Sequence, residues 1–118
     1  MTILNTLLIL ISVLMICVGQ LLFKLVGVRI QSGLHLLDFK VWAVACTAIA
    51  IYGSATILWI AILRTVPLVK AYPYMALSFV LVPLGSVLFY SEKVHWIYVV
   101  GTGLIVIGVI LTTLQPKL

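Results

Sequence analysis

The nine formally charged side chains of this 118-residue chain are gathered into short clusters, and between the clusters lie four charge-free runs. These runs are Thr2–Phe23, Val41–Leu63, Ala71–Ser91 and Val94–Pro116, each 21 to 23 residues long and dominated by Leu, Ile, Val and Ala. A helix rises about 1.5 Å per residue, so each run reaches roughly 30 Å, the thickness of a bilayer's hydrocarbon core. Backbone amides in lipid must find their partners within the span, which open sheets cannot provide. The sequence therefore predicts an all-α integral membrane protein with four transmembrane helices, over about 2–23, 41–63, 67–90 and 94–114. They form one domain.

Composition excludes most other classes. Hydrophobic residues make up 65 % and charged ones 8 %, against about 25 % charged in soluble domains. The net charge of +5 comes from residues flanking the apolar runs. They build no basic face with interleaved aromatics, so nucleic acid is not the expected partner. Lipid head groups or an anionic lipid explain the basic residues better. A cleaved signal peptide is not expected, because the start lacks a basic region and the first apolar run is too long. Cys17 and Cys46 fall within spans and read as small packing residues.

The first connection, Leu25–Lys40, reads as an interfacial loop with one amphipathic turn. Pro67 suits the first turn of the third helix. Inside that helix, Pro73 and Pro83 each remove a backbone hydrogen bond. Pro83 with Gly85 forms a candidate hinge; a static kink that aids packing fits the same residues. Small residues in the second helix (Ala43, Thr47, Ala50, Gly53, Ser54) signal helix association. So do Gly101 and Gly108 in the fourth, seven apart on one face, which mark it as a packing or dimer element. Positive charges divide almost evenly between the two sides, so orientation stays open.

No catalytic constellation is present. Asp38 and Glu92 are the only carboxylates, both in connections. No Ser-His-Asp set, ligand-spaced Cys-His pair or phosphate loop exists. Neither enzyme, metal nor cofactor is expected. Polar residues within the spans point to transport. Gln20 and Lys24, four apart, share a helix face. Lys70, Tyr74 and Ser78 run down one face of the third helix, and Tyr52, Thr56 and Trp59 form a stripe on the second. Facing one another, these stripes would line a polar seam with a cation near each end. Two readings of Lys24 and Lys70 stand side by side: docks for an anionic head group, or lysines that snorkel to lipid phosphates. Gln20 can equally bond substrate or a neighbouring helix.

Several of these segments resemble a known family. Val18-Gly19-Gln20-Leu21-Leu22-Phe23-Lys24, the stretch Ala71-Tyr72-Pro73-Tyr74, Ser91-Glu92, and Gly101 with Gly108 match, in order, the four-helix branch of the drug/metabolite transporter superfamily. The chain is most similar there to the small EamA-like proteins that include aminoarabinose-phosphoundecaprenol flippase subunits. The resemblance implies a small-multidrug-resistance-like bundle in a bacterial inner membrane. It also implies a flippase moving an anionic polyprenyl-phosphate-linked sugar, with Gln20, Lys24, Tyr72, Pro73 and Glu92 carried over. Lys70 departs from the family pattern. Partners implied are the lipid-linked substrate, membrane lipids, and a second copy or paralogous subunit, in an arrangement that can be antiparallel. Small multidrug resistance exporters are similar too, but their membrane-embedded Glu corresponds here to Ile16 and their substrate-stacking Trp to Met75. An exporter of a cationic compound is therefore the runner-up, and a non-transporting accessory subunit the third reading.

Overall fold

The computed structural model describes residues 2–33 and 38–114, and within them the chain is helical throughout apart from its connections. The elements are α1 (Ile3–Gln31), α2 (Phe39–Leu63), α3 (Leu68–Met75), α4 (Ser78–Tyr90) and α5 (Trp96–Thr113). α3 and α4 follow one another within a single span, Leu68–Tyr90, so four stretches are long and apolar enough to cross a membrane. The expected all-α, multi-pass architecture is the one observed.

α1 is longer than the charge pattern suggests, continuing two turns past Phe23 to Gln31. Lys24 does not end it, because a long cationic side chain can reach head groups from within a helix. Nothing between Leu25 and Gln31 breaks helical geometry. The stop comes at Gly33, whose φ of +100° only glycine adopts easily. There the amide of Ser32 donates to Val28 and that of Gly33 to Ile30, closing the helix. Arg29 in the last turn complements the negative helix end. Part of the expected interfacial loop is thus helix; residues 34–37 lie outside the described residues.

α2 starts at an acidic cap, where Asp38 Oδ1 accepts from the Lys40 amide at 2.8 Å. Its buried residues are Val41, Ala48, Ala55 and Ile62, spaced by seven. A seven-residue repeat keeps one narrow seam against a neighbouring helix, and α1 is that neighbour. The small residues Ala43, Thr47, Ala50, Gly53 and Ser54 all lie exposed. Thr47 and Ser54 turn their hydroxyls back onto the carbonyls of Ala43 and Ala50. Within the chain, therefore, α2 packs through a different face from the one its small residues mark.

The third span is interrupted at Ala76–Leu77, between the two prolines. Amides of Ala76, Leu77, Phe79 and Val80 each bond the carbonyl three residues back, a tighter turn than α-helix. Phe79 thereby leaves the Met75 carbonyl, and the Ser78 hydroxyl takes it at 2.7 Å. Pro83 and Gly85 sit inside the uninterrupted α4. Ser91 then turns the chain in the left-handed region, φ 54° and ψ 31°, before an extended stretch and the His95 cap of α5.

The core gathers Ile9, Val13 and Cys17 of α1 with Ile62, Val66 and Ala71, and Trp59 and Tyr74 pack against it. α5 stands apart. None of its residues is buried, and Gly101, Gly103 and Gly108 have no atom within 4 Å of where a Cβ would lie. The Cα envelope, 54 × 36 × 16 Å, is a thin slab. A slab that thin leaves its clefts open.

α1 and α4 are tied together beyond the core. The Tyr90 phenol donates to the Leu21 carbonyl at 2.6 Å. Leu21 also fills the space beside Gly85, where a Cβ would come within 2.7 Å of its Cδ1. Tyr90→Phe is expected to destabilise the protein by about 1 kcal/mol, the ordinary worth of one such bond between membrane helices. Thermal unfolding in detergent measures it, and an unchanged midpoint would show the bond to be idle.

Candidate functional site

Between the core and the Lys24 end of α1 lies an open cleft of about 350 Å³. Its polar groups come from Gln20 on α1, Tyr52 on α2 and Ser78 on α4; Ile16, Met75 and Val82 are among its apolar walls. The local sequence explains each position. Gly19 is buried against α2, where a Cβ would meet Tyr52 Cδ2 at 3.1 Å. Its missing side chain lets α2 approach and sets the Tyr52 ring beside the cleft. Phe23 steadies that ring, with centroids 5.9 Å apart. Ser78 is presented by the tightened turn, although its hydroxyl proton is committed to Met75. Its oxygen keeps acceptor capacity.

Ile16 and Met75, the residues that the resemblance sets against the exporters' Glu and Trp, both line this cleft, and no carboxylate is among its lining residues. The cleft wall thus has no group able to trade a proton for a cation.

One turn beyond Gln20, Lys24 reaches across to the α4–α5 connection. Its Nζ lies 3.2 Å from Glu92 Oε1, with the side chains 49 % and 46 % exposed. Two half-exposed charges remain hydrated, so the pair contributes little stability and can exchange partners readily. The left-handed Ser91 turns the chain where α4 ends, and Glu92 meets α1 through Lys24. The Ser86 hydroxyl and then the Lys24 ammonium hold the Glu92 carboxyl below its usual value.

A group whose folded-state pKa is depressed favours the folded arrangement above its unfolded pKa and loses that contribution as pH falls through the folded value. The Lys24–Glu92 contact is therefore expected to persist through neutral and mildly acidic pH. It should open only below the ordinary Glu range of about 4.3. Carbon-detected NMR of the labelled Glu92 carboxyl reads this directly, and a midpoint above the ordinary value would contradict it.

A second cleft of about 410 Å³ lies along α4 and the start of α5 and shares Val82 and Pro83 with the first. Ser86, Glu92, Lys93, His95 and Tyr98 supply its polar lining. His95 Nδ1 accepts from the Ile97 amide at 3.2 Å, so Nε2 carries the ring proton. The sequence pattern does not mark Ser86, His95 or Tyr98 as site residues; Tyr98 reads only as an interfacial aromatic near a span end. A run of hydroxyl, carboxylate and imidazole spread over ten residues with a turn between them has no periodic signature.

The remaining sequence-derived candidates lie elsewhere. Trp59 and Tyr74 pack on the core, while Lys70 and Tyr72 are exposed on α3. The stripe Lys70–Tyr74–Ser78 is divided by the break at Ala76–Leu77. Gln20, Tyr52 and Ser78 are brought together, and Lys24 with Glu92 beside them. Cys46 is exposed and Cys17 buried, and both are free.

No family model matches the chain, and no solved structure matches it either. Curated relatives do. The chain is 34 % identical over 110 residues to the probable 4-amino-4-deoxy-L-arabinose-phosphoundecaprenol flippase subunit ArnE of Aeromonas salmonicida, covering 91 % of this chain and 95 % of the relative. The protein of that name from Proteus mirabilis is 32 % identical over 108 residues, with 92 % and 96 % covered. The one from Yersinia pseudotuberculosis is 34 % identical over 111 residues, with 89 % and 92 % covered. Likeness along nearly the full length of both partners, on a four-span helical chain, means that this protein belongs to the ArnE flippase-subunit family.

Proposed function

We propose that the chain is a subunit of a bacterial inner-membrane flippase that carries an anionic polyprenyl-phosphate-linked sugar between leaflets. The observation that carries this reading is a half-exposed cation, Lys24, one helical turn beyond Gln20 on the wall of an open cleft that no carboxylate lines. The ArnE relatives support the substrate class through their names. In this scheme the phosphate exchanges onto Lys24 while the sugar is received by polar side chains in the clefts. The polyprenyl tail stays in lipid, where an open slab leaves room for it. At about 350 Å³ the first cleft is near the small end of ligand sites, which suits a head group rather than a whole lipid.

A partner subunit completes the path. α5, with no buried residue and three open glycines, is the surface on which it docks, through Gly101 and Gly108. An antiparallel partner would bring its own Lys70 to the surface at which Lys24 sits, so that each leaflet has a phosphate dock. Cross-links showing only parallel neighbours would rule that arrangement out. Reading the chain as an exporter of cations would require an acidic group in the cleft, and Ile16 occupies that place.

Purified protein in lipid nanodiscs is expected to retain polyprenyl phosphate by native mass spectrometry and to ignore quaternary ammonium dyes. Retention of the dyes with rejection of the phosphate would reverse the assignment in favour of the exporter.

A further inference from the structure

Glu92 is placed for more than holding Lys24. It lines the α4–α5 cleft together with Ser86, His95 and Tyr98, and its charged partner is an ammonium group. Lys24 is 3.2 Å away, and Lys93 is the next residue along the wall. The other carboxylate in the sequence, Asp38, is committed to capping α2. Among the described residues, Glu92 is the carboxylate paired with the phosphate dock, Lys24.

That placement has a consequence for the head group. A purely anionic head group that takes Lys24 strips Glu92 of its partner and leaves a carboxylate facing a phosphate, an arrangement of like charges. A head group that carries its own positive charge avoids this. Its phosphate replaces the carboxylate on Lys24, its ammonium replaces Lys24 on the carboxylate, and the site's charge balance is unchanged. Ser86, His95 and Tyr98 add hydrogen-bonding groups to the same wall as Glu92, the groups that suit the hydroxyls of one sugar ring.

We propose that Glu92 is the specificity-determining residue of the site and reads a protonated amine on the sugar, while Lys24 reads the phosphate. This rests on the flippase reading above and assigns its selectivity to the α4–α5 turn. Glu92 also suppresses binding of lipids whose sugar has no amine, because they must displace it without replacing its partner.

The test compares two probes on the full chain in nanodiscs. One is polyprenyl-phosphate-linked 4-amino-4-deoxy-arabinose and the other is its N-acetyl analogue, which keeps the phosphate and loses the charge. The intact protein is expected to prefer the amine at least ten-fold. E92Q should weaken the amine probe about ten-fold and tighten the N-acetyl probe several-fold, whereas a merely structural role would move both the same way. E92D, which keeps the charge, should keep the preference. Equal binding of both probes by the intact protein overturns the assignment to Glu92 and leaves the flippase reading standing. Binding of neither overturns the flippase reading itself. Should E92Q fail to fold, the intact protein and E92D still decide the matter, since loss of preference in either contradicts the proposal.

Discussion

Lys24→Ala is expected to lower affinity for polyprenyl phosphate by about 10- to 100-fold and to stop lipid translocation, with the fold retained. The magnitude follows from the worth of a charge-assisted hydrogen bond, about 1.5–3 kcal/mol, at 1.4 kcal/mol per decade. Retention of the fold follows from the exposure of the Lys24–Glu92 pair, since hydrated ion pairs contribute little to stability. Lys24→Arg should keep most of the affinity because it keeps the charge and the reach. Titration of phosphate lipid into nanodiscs, beside a thermal melt, separates binding from folding. If Lys24→Ala binds like the intact protein, Lys24 only snorkels, and the phosphate dock must be sought elsewhere.

The second large effect is expected at Gly19, far from any charge. A Cβ there would sit 3.1 Å from Tyr52 Cδ2, 3.6 Å from Tyr52 Cβ and 3.7 Å from the Ala48 carbonyl. Alanine would need Tyr52 to yield by a few tenths of an ångström. Valine sends two further methyls into the seam between α1 and α2, and overpacking of this kind costs about 1–3 kcal/mol. The Tyr52 ring would leave its place against Phe23 and swing from the cleft wall, so binding should fall together with the melting temperature. Gly19→Ala should show a small fraction of both effects. A Gly19→Val protein with unchanged melting and binding would mean that α1 and α2 do not meet through Ala48 and Tyr52.

The two predictions draw on different amounts of sequence information. Lys24 and Gln20 stand out in the chain because polar groups in an apolar span are conspicuous, and their spacing of four gives a shared face. That Lys24 meets Glu92 depends on a left-handed Ser91 and on how α4 returns beside α1. Neither is a local property of the residues concerned. Gly19 belongs to a recognisable segment, yet its role in admitting Tyr52 needs the register of two helices. The site placement of Ser86, His95 and Tyr98 is hidden for the same reason: it takes the turn from α4 into α5 to bring them together.

The helices themselves show where local patterns reach their limit. Charge-free length foretold every span. It also stopped α1 too early, because a lysine ends an apolar run without ending a helix. The two prolines marked the third span as irregular, but the break fell between them, where Ser78 could take the Met75 carbonyl. On α2 both the small-residue face and the Val41–Ala48–Ala55–Ile62 face are helical stripes, and only the second is buried. Composition could not rank them.

Length and apolarity by themselves determined that this chain crosses the bilayer four times as helix, since leaving charged groups or open backbone in hydrocarbon is so costly that the pattern must obey it. Which faces meet, where Gln20, Tyr52 and Ser78 converge, and that Lys24 holds Glu92 were decided only by the tertiary structure. The reason is physical: lipid tails are as apolar as a protein interior, so a residue facing a neighbouring helix and one facing lipid are written in the same alphabet.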